Sequence, residues 1–246
     1  MTAHVSAPSL DLLAEQIATL LADPSTSHGL ARTLRATAKE IDISRYHRAS
    51  SRAWPNGRVD TAPEKVQIGG GAHRIDGFYN IDAVPPADLL WDVREGIPLR
   101  DDSVRFMFSE HFLEHIDYPR SAKHYAREAH RVLAPGGQLV TGAPDAAFVL
   151  RHYPDNPILS EEMVERWYAK RDCLDDINTF LDLINYVFRD QDDDPTYTPH
   201  LWAYDHDKLT HLFTEAGFRT VEPWNFDATL ANPKRQWGSV YVIATK

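Results

Sequence analysis

Apolar residues at helical spacing predict two helices in the first 50 residues of the chain. The first helix covers residues 9–22 and ends at Asp23-Pro24, because proline disfavours a helical conformation in the residue before it. Its apolar face carries Leu13, Ile17, Leu20 and Leu21, and that of the second helix carries Leu30, Leu34 and Ile41. Residues 51–64 are polar, contain proline and show no period. The pattern therefore predicts an N-terminal helical cap, residues 1–50, joined by a linker to the rest.

From residue 65 onward, short apolar runs replace the long helical pattern. The seven runs are KVQIGGG (65–71), FYNID (78–82), ADLLWDV (87–93), VRFMFS (104–109), QLVTGAP (138–144), FRTVEPW (218–224) and SVYVIAT (239–245). A helix with inward positions from Ala122 to Leu133, closed by Pro135-Gly136-Gly137, separates the fourth run from the fifth. A later helix begins after Asp205 and ends before Gly217. Strands that alternate with helices predict an α/β fold with a mostly parallel sheet covered on both faces.

Residues 146–200 interrupt this alternation. Their apolar positions follow a helical period, and an acidic stretch, DQDDD, occupies Asp190–Asp194. The apolar positions are Met163, Trp167, Phe180, Leu181, Ile184 and Phe188. We expect a helical lid inserted over the ligand edge of the sheet, within a domain that spans residues 65–246.

Composition and charge narrow the class of protein. Asp and Glu outnumber Lys and Arg by 36 to 26, which gives a net charge of −10 and argues against a nucleic-acid partner. Cys173 is the single cysteine, so no internal disulfide can form, which suits a reducing compartment. The chain has no apolar run near 18 residues and no signal-peptide layout at its N-terminus. We therefore expect a cytoplasmic protein with no membrane partner.

Glycines and acidic residues follow the first three predicted strands. Gly69, Gly70 and Gly71 come directly after the first, and the absence of Cβ atoms lets the backbone approach a ligand closely. Asp82 ends the second strand, where a carboxylate can accept both hydroxyls of a ribose, and Asp92 ends the third, where an adenine edge would lie. Ligands of open parallel sheets bind beyond the carboxyl ends of the strands. This series predicts a nucleotide-like cofactor at that edge.

The stretch HFLEH, residues 111–115, has the H-x-x-E-H spacing of inverted zinc metalloproteases. On a helix, His111 and His115 would share a face and could both bind one zinc ion. However, the motif follows a strand directly, and Pro119 leaves room for barely one helical turn. A zinc hydrolase is therefore the weaker interpretation.

From Lys65 to about Asp145 the chain resembles the core of class I S-adenosylmethionine-dependent methyltransferases, especially the methyltransferase-11-like branch. The matching segments are VQIGGG, the Asp of YNID, WDVREGIPLRDDSVRFMFSEHFLEHI, RVLAPGGQLV and, later, HLWAYDHDKLTHLFTEAGF. The resemblance implies a Rossmann-like seven-stranded sheet of order 3-2-1-4-5-7-6, with S-adenosylmethionine as cofactor and S-adenosylhomocysteine as product. Two features depart from the family: GGG replaces the usual G-x-G, and only ten residues separate Gly71 from Asp82. The first crossover must then be a short turn or an irregular loop.

The resemblance also implies roles for individual residues. The glycines Gly69–Gly71 would flank the methionine part of the cofactor, and Asp82 would bind the ribose. Asp92 with Val93 would bind the adenine, and Ser109 with Glu110 would line the sulfonium region.

Candidates for the acceptor side of the site come from histidines and aromatic residues. A neutral imidazole is a natural base near pH 7, and we expect His111, or secondarily His200, to serve as the base. An aromatic wall for a flat substrate is expected from Trp167, Tyr186, Trp202 and Tyr204. Ordinary packing explains each of these residues equally well.

The expected function is methylation of an O or N atom of a small-molecule acceptor, in a specialised biosynthetic pathway, by a monomer or homodimer. Two alternatives stay open. The first is metal-assisted O-methylation through His111, Glu114 and His115, because the related small-RNA 3′-end methyltransferases bind a divalent metal with E-x-x-E-H at this place. The second is a SAM-binding protein without catalysis.

Overall fold

The computed structural model describes residues 9–54, 59, 63–153, 165, 179–189 and 198–246. Its seven-stranded sheet has the order β3-β2-β1-β4-β5-β7-β6, which confirms the predicted order. The strands are β1 Lys65–Ile68, β2 Tyr79–Asp82, β3 Leu89–Leu90, β4 Val104–Glu110, β5 Leu133–Pro144, β6 Thr220–Pro223 and β7 Ser239–Thr245. Strand β7 runs antiparallel to both of its neighbours, and the other neighbouring strands pair in parallel. The sheet is therefore mostly parallel, as expected.

Six helices accompany the sheet in the described residues. They are α1 Leu10–Ala22, α2 His28–Ala53, α3 Arg120–Val132, α4 Ala146–His152, α5 Phe180–Arg189 and α6 His206–Glu215. None of them is both long enough and apolar enough to cross a membrane. Helix α2 continues through Ala53, beyond the boundary expected at residue 50. Beyond it, Trp54 and Val59 pack into the main core, and the Val59 amide donates to the Pro98 carbonyl at 2.9 Å.

The two faces of the sheet are covered differently. Helices α3 and α6 cover one face, and the inward residues of α3 include the fully buried Tyr125 and Ala129. Their spacing explains the helix, because apolar residues three and four apart form one continuous stripe. The opposite face, with Phe108 and Val140, packs against aromatic side chains from irregular segments. These side chains are Phe78, Trp224 and Phe226.

No helix forms in the first crossover, residues 69–78, which confirms the expectation of an irregular loop. Two buried polar side chains on the strands organise this loop. Gln67 on β1 donates from Nε2 to the His73 carbonyl at 2.6 Å and accepts from the Ile75 amide at 3.0 Å. Asn80 on β2 accepts from the Gly70 amide at 3.2 Å. Side-chain hydrogen bonds thus satisfy loop backbone groups that would otherwise be left unpaired.

Two predicted element boundaries were wrong. Helix α3 ends at Val132 and β5 begins at Leu133, so Pro135-Gly136-Gly137 lies in an irregular start of the strand and does not close the helix. Gly136 has a φ of 76°, which glycine adopts without steric cost. Strand β3 contains only Leu89 and Leu90, because the Asp92 side chain accepts from the Arg94 amide and starts a 3₁₀ turn. Asp92 therefore lies after the strand and does not end it.

The described parts of the insertion include two helices. Helices α4 and α5 pack on each other through Val149 and Val187, together with Phe148 and Ile184. Helix α6 begins at the predicted cap, where Asp205 accepts from the Lys208 amide at 2.7 Å. Met163, Trp167 and the acidic stretch Asp190–Asp194 lie outside the described residues.

Candidate active site

The glycine turn after β1 bends onto the end of β2. The Gly69 amide donates to the Ile81 carbonyl at 3.0 Å, and the Gly71 amide donates to Asp82 Oδ2 at 3.0 Å. Both glycines have positive φ, 65° for Gly69 and 52° for Gly71. A Cβ at Gly69 would lie 2.9 Å from the ring of Phe112, whereas a Cβ at Gly71 would meet open space. The turn thus brings Gly71 and Asp82 together beside an open region at the carboxyl edge of the sheet.

Asp82 is half-buried at the end of β2. Besides Gly71, it accepts from the Val84 amide, through Oδ1 at 3.2 Å. A carboxylate offers about four lone-pair positions. Two backbone donors therefore orient Asp82 and leave capacity for the hydroxyls of a ribose.

Asp92 is held by an ion-pair network. Its carboxylate accepts from Arg94 Nε at 2.9 Å and from Arg94 Nη2 at 2.8 Å, and the same guanidinium contacts Glu40 of α2 at 2.7 Å. Burial works against the charge of Arg94, but hydrogen bonds from Glu40 and Asp92 outweigh it and raise the pKa of Arg94. The Asp92 amide also donates to His47 Nδ1 at 3.4 Å. Hydrogen bonds to Glu40 and His47 thus attach the helical cap just beyond β3, where we expected the adenine, next to Val93.

A cleft of about 1020 Å³ lies between α2 and α3. It borders the expected adenine position through Asp92 and Arg94, and most of its lining side chains are polar or charged. The glycine turn and Asp82 do not belong to the described lining. The size of this cleft therefore does not by itself identify it as the cofactor site.

Ser109 and Glu110, at the end of β4, are buried and engaged with protein groups. The Ser109 and Thr141 hydroxyl oxygens are 2.7 Å apart. Glu110 accepts from the Tyr241 hydroxyl at 2.7 Å, from the Asn232 amide at 3.2 Å and from Arg235 Nη1 at 3.2 Å. Its carboxylate is therefore directed toward β7 and the segment before it.

His111 follows Glu110 in a left-handed conformation, with a φ of 52°. Its amide donates to the Gly142 carbonyl at 2.8 Å, its Nε2 lies 2.9 Å from Ser239 Oγ, and its Nδ1 lies 3.4 Å from Glu114 Oε1. Burial, and next the charge of Arg235, lower the pKa of His111 well below its ordinary value. The imidazole is therefore neutral at pH 7.

The rest of HFLEH forms a single 3₁₀ turn, Leu113–His115, so His111 and His115 do not share a helix face. Glu114 is 1% exposed, and neither carboxylate oxygen has a hydrogen-bond partner among the residues that the structure describes. Burial raises the pKa of Glu114 to about 8. The single turn agrees with the expectation that Pro119 leaves room for barely one helical turn, which made a zinc hydrolase the weaker interpretation.

His115 lies against His200, the last residue of the insertion. Their ring centroids are 5.0 Å apart. His115 Nδ1 lies 2.6 Å from the Thr198 carbonyl oxygen, and His200 Nδ1 lies 3.1 Å from that of Val187. Burial, followed by the charge of His200, lowers the pKa of His115 to about 4.

One ligand atom from each of Glu114, His115 and His200 lies within 4.8 Å of the others. Sequence reasoning named His200 but did not place it in this cluster, since no local spacing connects it to HFLEH.

The expected aromatic wall is described only in part. Trp202 stacks on Tyr118 at 4.8 Å and is 41% exposed, and Lys208 Nζ lies 3.9 Å from the Tyr118 ring centroid. Tyr204 is 1% exposed and packs in the main core. Trp167 and the side chain of Tyr186 lie outside the described residues.

The sheet order, the glycine turn and the acidic residues at or just beyond the ends of β2 and β3 define a Rossmann-like methyltransferase fold. Residues 29–141 match the family described as a methyltransferase domain. This match covers just under half of the chain and, together with the sheet order, supports a class I S-adenosylmethionine-dependent methyltransferase with S-adenosylmethionine as its cofactor.

Solved structures of similar fold are distant from this chain. A protein from Thermotoga maritima, described as a possible histamine N-methyltransferase, is 17% identical, covers 83% of this chain and 91% of its own, and has a TM-score of 0.43. A SAM-dependent methyltransferase from Methanosarcina mazei is 15% identical over 78% of this chain and 96% of its own, with a TM-score of 0.44. A SAM-dependent methyltransferase from Mesorhizobium loti is 16% identical over 80% of this chain and 98% of its own, with a TM-score of 0.43. No curated protein matches the chain. The identity of the acceptor thus has to be argued from the site itself.

Proposed function

We propose that the chain transfers the methyl group of S-adenosylmethionine to an O or N atom of a small molecule, with His111 accepting the proton of the acceptor. The observation that carries this proposal is a neutral imidazole at the carboxyl end of β4, one residue before Phe112, whose ring lies against Gly69. The methyltransferase class supplies the methyl donor, and His111 supplies a proton acceptor on the same edge of the sheet.

The cofactor is held by the glycine turn and by Asp82. Asp82 binds the ribose hydroxyls, because its carboxylate is oriented by Gly71 and Val84 and keeps acceptor capacity. The open space beside Gly71 admits the ligand close to the backbone. Asp92 and Val93 border the adenine, and Ser109 and Glu110 contribute backbone at the end of β4 near the sulfonium.

The transfer is an in-line displacement at the methyl carbon. A lone pair of the acceptor O or N forms the new bond while the carbon–sulfur bond breaks and leaves S-adenosylhomocysteine. The acceptor proton passes to an imidazole nitrogen of His111, directly or through the adjacent Ser239 hydroxyl. Holding the nucleophile about 3–3.5 Å from the methyl carbon supplies several kcal/mol of the rate enhancement.

A small-molecule acceptor is supported by the position of the insertion, whose helices α4 and α5 pack on each other next to the end of β5. Residue Asp145, which precedes α4, bridges to Tyr204, and the Ala146 amide donates to the Tyr204 carbonyl at 2.8 Å. The insertion thus begins and returns beside the same strand end. Helices of the insertion beside this strand end and a net charge of −10 favour a small acceptor in a specialised biosynthetic pathway over a nucleic acid.

A label-transfer experiment tests the acceptor class. The purified chain is incubated with methyl-labelled S-adenosylmethionine and, separately, with an ultrafiltered metabolite extract of the source cells, with total RNA and with total protein. We expect label in a low-molecular-mass product only. Label confined to RNA or protein would contradict the proposal. Calorimetric binding of S-adenosylmethionine, measured in parallel, shows that the protein is competent.

A further inference from the structure

A buried cluster of Glu114, His115 and His200 has the composition of a metal site. The first two residues belong to the 3₁₀ turn after β4, and His200 lies at the exit of the insertion. Glu114 is 1% exposed and His200 is 4% exposed, and the side chain of His115 is 23% exposed. Glu114 and His200 are thus buried, and His115 is the most exposed member of the cluster.

Both imidazoles are oriented by backbone carbonyls. A carbonyl oxygen only accepts hydrogen bonds, so the contacts with the Thr198 and Val187 carbonyls favour a proton on Nδ1 of each ring, and the Pro199 backbone is a second hydrogen-bond partner of His115. In this tautomer the lone pair of each neutral ring is on Nε2. Histidines that bind metals almost always donate their other N–H to a carbonyl, a carboxylate or water, which fixes both the tautomer and the ring orientation.

Glu114 supplies an independent sign of a ligand. Both of its oxygens are buried, and neither accepts a hydrogen bond from the part of the chain that the structure describes. Buried polar groups are nearly always satisfied, so an orphaned carboxylate requires a reason. The Leu201 amide donates to the Glu114 carbonyl at 2.6 Å and fixes the segment that carries His200 beside this carboxylate.

We propose that Glu114, His115 Nε2 and His200 Nε2 bind one divalent transition-metal ion. Two imidazoles and one carboxylate suit Zn²⁺, Fe²⁺, Mn²⁺ or Co²⁺ better than Mg²⁺ or Ca²⁺, which prefer oxygen ligands. His115 Nε2 lies 3.9 Å from Glu114 Oε1. Metal–ligand bonds of about 2.0–2.2 Å bring ligand atoms to roughly 3–3.5 Å from one another, so small side-chain rotations close the site.

The ion joins the turn after β4 to the exit of the insertion. Three protein ligands leave at least one coordination position for water or another ligand. His111, whose Nδ1 lies 3.4 Å from Glu114 Oε1, borders the site. This assignment does not depend on the identity of the methyl acceptor, because metal binding is measured without a methylation reaction.

The test uses the full chain, stripped with a chelator and dialysed. Titration with Zn²⁺ by calorimetry, and with Co²⁺ by visible absorption, is expected to give one ion per chain and a cobalt spectrum of low coordination number. Glu114→Gln and His200→Gln are expected to weaken Zn²⁺ binding at least tenfold. His211→Gln is the matched control, because His211 is an exposed histidine on α6 with a side chain that is 70% exposed.

Stoichiometric binding that both cluster variants weaken, and that the control keeps, supports the site. Two outcomes overturn it: none of Zn²⁺, Co²⁺, Fe²⁺ and Mn²⁺ binds to a protein that still binds S-adenosylmethionine, or the variants bind as well as the wild-type chain. Glu114→Gln is nearly isosteric, so it keeps the test decisive if His200→Gln does not fold. A chain that binds the ion but methylates no small molecule contradicts the proposed function alone.

Discussion

Glu110 and Glu114 lie four residues apart, both are buried, and their surroundings differ completely. Glu110 accepts hydrogen bonds from Tyr241, the Asn232 amide and Arg235. Glu114 accepts none from the residues that the structure describes, and its pKa is raised to about 8 by burial. A buried carboxylate that accepts several hydrogen bonds stabilises the folded state. A buried carboxylate without donors is costly unless it binds a ligand or is protonated.

His111 lies between the two carboxylates and marks the point where the chain turns. Its positive φ ends the extended conformation of β4. Non-glycine residues rarely adopt this conformation, which costs about 1–3 kcal/mol and is concentrated at functional sites. The strand therefore ends with one side chain toward β7 and the next ones in a turn over the carboxyl edge.

The largest effect is expected at His111. Replacing it by alanine removes the proton acceptor, and we expect kcat to fall about 10²- to 10⁴-fold. Binding of S-adenosylmethionine is expected to change little. Steady-state kinetics with the labelled product checks the first value and calorimetry the second. His211→Ala, on the exposed side of α6, is the control, and a kcat for His111→Ala within threefold of wild type would exclude the proposed role.

Two matched substitutions test whether the surroundings of Glu110 and Glu114 differ in their effect on stability. In Glu110→Gln the new amide NH₂ faces donors, and Arg235 loses its anion, so the free energy of unfolding is expected to fall by about 2–3 kcal/mol. In metal-free protein, Glu114→Gln is expected to change the free energy of unfolding by less than about 1 kcal/mol, since the Glu114 carboxyl is already mostly neutral at pH 7. Urea denaturation of both variants provides the values. Equal destabilisation would show that the two environments do not differ as described.

A third carboxylate, Asp82, extends the comparison to the cofactor. It has two backbone donors and remaining acceptor capacity, so Asp82→Ala is expected to weaken binding of S-adenosylmethionine at least about tenfold, or roughly 1.5–3 kcal/mol. Isothermal titration calorimetry measures this change. Asp227→Ala is the control, because Asp227 is exposed and its carboxylate accepts a hydrogen bond from the Thr229 amide. Unchanged affinity in Asp82→Ala would show that the ribose lies elsewhere.

The smallest effect concerns pH and Glu128 of α3. Burial disfavours the charge of this carboxylate, but hydrogen bonds from Arg131 and from the Ile97 amide outweigh burial and lower the pKa of Glu128. A folded pKa below the unfolded one gives stability that is present above the unfolded pKa, about 4.3 for glutamate, and that is lost as the pH falls through the folded pKa. Glu128→Gln is expected to cost about 1–2 kcal/mol at pH 7.

Urea denaturation at several pH values checks this expectation. The difference between wild type and Glu128→Gln is expected to shrink as the pH falls below about 4. Glu64, which is exposed and 3.6 Å from Arg105, is the control carboxylate, and Glu64→Gln is expected to leave stability nearly unchanged. If wild type and Glu128→Gln differed in stability by the same amount at all pH values, the ion pair of Glu128 with Arg131 would not be the cause of that difference.

The sequence determined the parts of this protein that depend on near neighbours. The strand at Ser239–Thr245, the cap at Asp205 and the missing helix between β1 and β2 were all predicted from periodicity, capping and spacing. The sheet order followed from a family resemblance carried by local motifs. Such features are determined by interactions within a few residues, so the linear pattern contains them.

The tertiary structure decided which distant side chains meet. His115 lies against His200, Glu110 receives the Tyr241 hydroxyl, and the Asp92 carboxylate is held in the network of Arg94 and Glu40. These partners are far apart in the chain, apart from Asp92 and Arg94. Their meeting depends on the sheet order and on where the insertion and the helical cap return to its edge. No local period encodes that convergence, because it is produced by packing of the whole chain.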